Sequence, residues 1–240
     1  MHDDSTADRE APGRLIVVAT PIGNLDDLSP RAREALAGAD LVACEDTRHT
    51  GLLLSRLGIK RPLVSLHEHN ERQRVPELLE RLAAGETIAL ASDAGTPLVA
   101  DPGFVLVREA ARRGHAVEPV PGPSALLAAL VASGLPPLPF TFAGFPPAKG
   151  GKRRTFYQRW SAFDHTVIFY ESPHRIVKSL ADLGAVAGIG RPCAVGRELT
   201  KRHEEILRGT VGSVHDVLAT RGAVKGELVV VLGAGEPAAR

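Results

Sequence analysis

From residue 14 onward, short apolar runs alternate with longer stretches whose apolar positions recur every three or four residues. "RLIVVAT" (14–20), "LVACED" (41–46), "PLVSLHEHN" (62–70), "TIALAS" (87–92) and "AVEPV" (116–120) are short and β-branched enough to read as buried strands. Between them, "SPRAREALAGAD", "TRHTGLLLSRLG", "RVPELLERLAAGE" and "PGFVLVREAARRG" have helical spacing, and "PSALLAALVASG" follows the fifth strand. Ser29 and Pro30 open the first helix as cap and first position, and Gly58 closes the second. Strands alternating with helices in this way predict an open α/β sheet of parallel strands.

The proline cluster "LPPLPF" (135–140) cannot continue a helix and marks a domain boundary. Beyond it, "FTFAGF", "TVIFYES", "CAVGREL" and "ELVVVLG" read as strands, separated by helices at "KRRTFYQRWSAF", "PHRIVKSLADLG" and "VGSVHDVLAT". Some of these connections are short, so this second α/β half is expected to be more antiparallel. The pattern predicts a tail over 1–13, one α/β domain over 14–134, a second over 135–235, a short tail over 236–240, and a cleft between the domains. Residues 1–13 are polar and acidic, and are expected to be disordered.

Composition narrows the function. Net charge is +1 over 240 residues, so a nucleic-acid site has to be a local patch. The two cysteines, Cys44 and Cys193, read as reduced core thiols, and neither a secretory leader nor a membrane-spanning run is evident, so a cytoplasmic protein is expected. A Walker-type loop, a G-x-G-x-x-G turn and a G-x-S-x-G elbow are all missing from the sequence. His67 and His69 share a face without a third ligand nearby, and no metal site is expected.

In an open parallel sheet, ligands bind at the carboxyl ends of the strands. The first five strands end in "TPIGN", "CEDTRH", "HEHNE", "SDAGTP" and "PGPSA". Turn chemistry accounts for any one of these loops. Five such loops along one sheet edge instead predict a ligand site, where small residues admit a close approach and Ser, Asp, Asn and Thr supply hydrogen bonds.

In this order the loops resemble the tetrapyrrole (class III) methyltransferase superfamily. The resemblance rests on "VATPIGNLDDLSPRA", "ACEDTRHTGLLL", "SLHEHNE", "SDAGTPLVADPG", "PVPGPSALLAALVASGLP", "FAGFPP", "FYESPHR" and "GRELTKRHEE", and spans residues 15 to 235. It implies S-adenosylmethionine bound between two α/β domains, without metal. The cofactor residues it implies are Pro21, Gly23, Asn24, Ser92, Asp93, Gly95, Thr96, Pro97, Gly122, Ser124 and Ala125, with Tyr170 and Arg197 from the second domain. Ser124 is also expected to cap the helix after it.

The first loop has one glycine, as in the superfamily's ribosomal RNA branch, where tetrapyrrole enzymes usually have a glycine-rich loop. The resemblance therefore implies 2′-O-methylation of a cytidine ribose in the decoding centre of small-subunit (16S) ribosomal RNA by a homodimer; the assembled subunit is the expected form of the substrate. Glu45, Asp46, Arg48 and Glu171 are the catalytic candidates, with His67 and Glu68 as further bases. Lys149, Lys152, Arg153, Arg154 and Arg175 are candidates for RNA phosphate. With aromatic content of only 4%, recognition by shape and backbone is expected over stacking. The alternatives are a methyltransferase for a tetrapyrrole or other small molecule, and a non-catalytic ribosome-binding module.

Overall fold

The computed structural model describes residues 13–235; the expected tails, but for Gly13, lie outside them. Gly13 itself is packed: a Cβ there would sit 2.2 Å from the Leu82 carbonyl oxygen and 2.5 Å from that of Glu86. Gly13, which the sequence assigns to the tail, is therefore part of the packed structure.

The described residues divide into two compact units, one ending at Pro123 and one beginning at Ser124. In the first, β1 (Arg14–Val18), β2 (Leu41–Cys44), β3 (Leu63–Ser65), β4 (Ile88–Ala91) and β5 (Ala116–Val120) form a wholly parallel sheet in the order β3-β2-β4-β1-β5. Pro119 is accommodated because β5 lies at an edge. The connecting helices are α1 (Pro30–Gly38), α2 (Thr47–Arg56), α3 (Glu71–Ala83) and α4 (Phe104–Arg112). Ser29 caps α1 as expected, its hydroxyl accepting from the Ala32 amide at 3.1 Å.

Strand alternation assigns the helices to two faces. Ile16, Val18, Val42, Ala89 and Ala91 pack with Leu36 of α1 and Leu54 of α2. Leu15, Leu41, Ala43, Ile88 and Leu90 pack with Leu78 and Leu82 of α3 and Leu106 of α4. The loop after β4 therefore leads to one face, while the loops after its two neighbours, β1 and β2, lead to the other. Connections part company on both sides of β4, which makes its carboxyl end the switch point of the sheet.

The second unit contains α5 (Ala125–Ser133), β6 (Phe140–Phe142), α6 (Gly150–Ser161), β7 (Thr166–Glu171), α7 (Ile176–Ala187), β8 (Pro192–Arg197), β9 (Glu205–Thr210), α8 (Val211–Ala219) and β10 (Leu228–Leu232). Its sheet runs β6-β7-β10-β8-β9, with only β6 and β7 parallel. The antiparallel character is as the short connections predicted. β9 has weak alternation and went unread as a strand; its pairing with β8 forms it. The division falls ahead of α5, not at the proline cluster: α5 packs on β7, β8, β9 and β10. Its sequence is apolar at nearly every position and does not itself say which sheet it joins.

Candidate functional site

Three loops meet at the carboxyl ends of β1, β4 and β5. Thr20 and Gly95 exchange backbone hydrogen bonds at 2.9 and 3.0 Å, and the Thr20 hydroxyl donates to the Ser92 carbonyl at 3.0 Å. The Thr96 hydroxyl donates to the Pro123 carbonyl at 3.1 Å. Gly95 has φ +87°, a conformation costly for any residue with a Cβ, and it faces Ile22 and the Pro123 carbonyl oxygen. At Gly122 a Cβ would meet the Ala19 Cβ at 2.9 Å. The sequence-expected residues of these loops are thus brought together by mutual packing.

The loop leaving β4 doubles back. Leu98 and Ala100 have φ of 71° and 70°, and Gly103 has φ +115°. Such backbone is strained for residues with side chains, and it persists only where the surroundings enforce it. Glu71, at the start of α3, supplies the enforcement: its Oε1 accepts from the amides of Gly103 at 3.1 Å and Val105 at 2.9 Å. Gly103 is pressed on Leu90 of β4, whose Cδ2 would lie 2.7 Å from an added Cβ. This geometry returns Asp101 to the strand end it left, beside Ser92 and within the field of Asp93 and Glu45. The sequence reading passed over Asp101 and Glu71; for Asp101 the available signal was the repeated Asp-x-Gly of Asp93-Ala94-Gly95 and Asp101-Pro102-Gly103.

Carboxylates crowd this edge. Burial pushes the Asp101 carboxyl up to about 6, the Ser92 hydroxyl pulling it down while Glu45 and Asp93 add to the rise. Burial likewise raises Glu45, with Asp93, Glu68 and Asp46 repelling its charge and His67 favouring it. Asp46 goes the other way. Its side chain pairs with Arg48, Oδ2 lying 2.7 Å from Nη2, and caps α2 through the Arg48 amide at 2.8 Å, which holds it well below the usual carboxylate range. The Asp46 amide donates to Asp93 Oδ1 at 3.2 Å, tying the β2 and β4 loops together. His67 Nδ1, buried near this edge, has no hydrogen-bond partner. Among the described residues, no group of three His, Cys, Asp or Glu is placed to hold a metal ion.

Residues 14–215 match the model of the Tetrapyrrole (Corrin/Porphyrin) Methylases. The chain belongs to this family. It is 50% identical over 222 residues to the ribosomal RNA small subunit methyltransferase I of Xylella fastidiosa (strain Temecula1), covering 92% of this chain and 81% of that protein. To the protein of the same description from Mesorhizobium japonicum it is 51% identical over 222 residues, 92% and 76% of the two chains. In fold it is similar to the uroporphyrin-III C-methyl transferase of Thermus thermophilus complexed with S-adenyl homocysteine. There the TM-score is 0.64 at 20% identity, over 93% of this chain and 98% of that one. The tetrapyrrole methylase fold implied by the resemblance is therefore the fold of this chain.

The remaining candidate residues of this methylase separate into accessible and structural ones. Pro21, Gly23 and Asn24 lie on the first loop, where Gly23 and Asn24 are exposed and the Asn24 side chain accepts from the Asp26 amide. Pro97 is buried. Ser124 stands at the cap position of α5, as expected, yet its hydroxyl makes no capping bond; Ala125 is the first helical residue. Tyr170 stacks edge-on with Phe142 and Phe145, at 4.8 and 5.3 Å between ring centres.

Three expectations need correction. Arg153 does not face solvent: it is 2% exposed, bound to Asp182 through Nε at 2.9 Å and to the Ala148 carbonyl through Nη1 at 3.0 Å. Every third or fourth residue of α6 must turn inward, and Arg153 falls on that face with Tyr157. Glu171 is also buried, accepting from the Ser172 amide, the Ser179 hydroxyl and Arg175, which leaves no accessible oxygen for a proton transfer. Arg197 is spent on Glu205 of β9 at 2.9 Å and on the carbonyls of His203 and Lys225. Arg175 is partly exposed while paired with Glu171. Lys149, Lys152 and Arg154 are exposed on α6 or just ahead of it, and Arg154 lies 3.5 Å from Asp182.

Proposed function

We propose that the protein methylates the ribose 2′-hydroxyl of a cytidine in the decoding centre of small-subunit ribosomal RNA, using S-adenosylmethionine. The observation that carries this reading is identity near 50% over 222 residues to proteins described as ribosomal RNA small subunit methyltransferase I. Identity of that extent takes in all the strand-end loops together.

The residues at the switch point fit the cofactor. Gly95 and Gly122 keep the loops free of side chains, and Ser92, Asp93 and Thr96 offer polar groups to its hydroxyl and amino functions. When bound, it supplies a methyl group on a good leaving group, so alignment contributes most of the rate. What the chain then has to provide is a proton acceptor for the ribose hydroxyl. Asp46 is a poor base, because Arg48 and the α2 amide stabilise its anion. Glu45 and Asp101 hold protons more tightly and are better matched to the task. Lys149, Lys152 and Arg154 present charge to phosphate.

A homodimer is supported by α5, an apolar helix on which Leu127 and Val131, one turn apart, are both exposed. No described helix is long and apolar enough to cross a membrane; a ribosomal substrate supports a cytoplasmic setting. The test uses small subunits from cells lacking the protein, incubated with the protein and methyl-labelled cofactor. Label in a cytidine whose 3′ phosphodiester resists alkali is expected. Label on a base, or none, overturns the reading.

A further inference from the structure

Of the ten aromatic side chains (seven Phe, two Tyr, one Trp), only Phe104 and Phe145 are exposed. Phe104, 60% exposed, carries the Arg108 guanidinium over its ring, 5.5 Å from the centre. Phe145, 54% exposed, has no such cover: among the described residues its one aromatic neighbour is Tyr170, tilted by 62° at 5.3 Å. An edge-on contact occupies one face of a ring at most, so ring surface stays open to a ligand.

The chain holds Phe145 in this position. β6 and β7 stay paired beyond Phe142, through the Ala143 amide on the Ile168 carbonyl at 2.8 Å and the Tyr170 amide on the Gly144 carbonyl at 3.0 Å. Gly144 then turns the chain at φ +73°. Phe145 precedes a proline, which restricts its backbone to extended forms, and that proline, Pro146, is buried. Phe142 backs Tyr170 at 4.8 Å between ring centres. A Phe left in water does little for the fold, whereas a ring already fixed in place binds with little ordering cost.

The surroundings select the ligand. Lys149 follows Phe145 by four residues, at most about 14 Å of chain, and Lys152 lies in the first turn of α6. Both are exposed, and neither has an ion-pair partner among the described residues. The amino end of α6 has no side-chain cap. An aromatic ring beside unpaired cations and an uncapped helix start suits a nucleotide, with its base on the ring and its phosphate on the charges.

We infer that Phe145 stacks on a base of the RNA substrate, with Lys149 and Lys152 holding the phosphates beside it. This rests on the reading that the substrate is ribosomal RNA. Low aromatic content favours recognition by shape and backbone, yet one well-placed ring is enough to fix one base. Every base has a π-face, so Phe145 positions the strand without choosing its sequence.

The test compares Phe145→Ala, Phe145→Leu and Phe145→Trp in the full-length protein, with small subunits from cells lacking it as the RNA. At one fixed salt concentration, Phe145→Ala should weaken subunit binding by about 5- to 100-fold, the range for loss of one base–aromatic stack. Phe145→Leu, apolar but without a π-face, should lose nearly as much, and Phe145→Trp should recover it. The log–log salt slope should not change in any of the three, because no phosphate contact is removed. The Kd for S-adenosylmethionine, titrated by calorimetry, should stay within about twofold. The Leu and Trp proteins carry the comparison if the Ala protein proves unstable. Wild-type RNA affinity in Phe145→Leu, or in a folded Phe145→Ala, overturns the inference. A loss of cofactor affinity as large as that for RNA also overturns it and gives the ring to the adenine of the cofactor. A change in sedimentation of the free Phe145→Ala protein overturns it by assigning the ring to a contact between copies of the chain. If the wild-type protein methylates no RNA in these subunits, the ribosomal reading fails and takes the inference with it.

Discussion

The basic run "KGGKRR" contains two kinds of cation, and Arg153 separates them. Arg153→Met keeps most of the aliphatic volume while removing a guanidinium that is 2% exposed. The change leaves the Asp182 carboxylate, 17% exposed, with only the 3.5 Å contact from Arg154, and leaves the Ala148 carbonyl without its donor. Breaking a buried pair from one side typically costs about 3–5 kcal/mol. Arg154 and partial solvation soften the loss, so the lower end, about 3 kcal/mol, is the expected value. For a small domain that is a large share of total stability. Urea denaturation followed by far-ultraviolet circular dichroism should show a lower midpoint with an unchanged slope. Replacing Asp182 as well, by Leu, should recover part of the loss, because no uncompensated charge remains. Lys149→Ala, Lys152→Ala and Arg154→Ala should behave in the opposite way. Each should leave stability within about 0.5 kcal/mol and lower the log–log salt slope of RNA affinity by roughly 0.7 to 0.9. An Arg153→Met protein of wild-type stability whose RNA binding has lost salt dependence would refute the assignment of Arg153 to the fold.

Other outcomes follow from the same contacts. Glu71→Ala removes the acceptor for two amides and should cost about 2–3 kcal/mol, with faster amide exchange over 98–105 than elsewhere. Gly103→Ala puts a Cβ 2.7 Å from Leu90 at φ +115° and should destabilise by about 1–3 kcal/mol, read as a lowered Tm. Asp101 has a folded-state pKa of about 6, above the unfolded carboxylate, so the folded protein binds more protons between about pH 4 and 6 and loses stability as pH rises through that window. Asp101→Asn should therefore raise the Tm of the ligand-free protein at pH 7.5 and leave it nearly unchanged at pH 4. Cys193, pushed up to about 12 by burial, should resist alkylation until the protein unfolds, and Cys44→Ser should retain methyl transfer.

Much of the fold was determined by the sequence alone. The alternation of apolar runs with helical spacing, Ser29 and Pro30 at a helix start, and the loops gathered at one strand edge are local signals, set by backbone geometry and by which side chains must leave water. The family motifs reach as far, because they record the loops in order. Tertiary structure decided the rest, and it did so where a residue's partner is distant in the chain. β9 exists through its pairing with β8, and α5 packs on the second sheet although its nearly uniform apolar surface carries no preference of its own. Arg153 and Glu171 look like site residues as letters, yet packing buries both against charges and donors from other elements. Asp101 is the reverse case, a residue unremarked in the chain whose chemistry arises from a loop that returns it to Ser92 and Glu45. A carboxylate's role depends on its solvation and on the charges around it, and those are properties of the assembled strand ends, not of the residue itself.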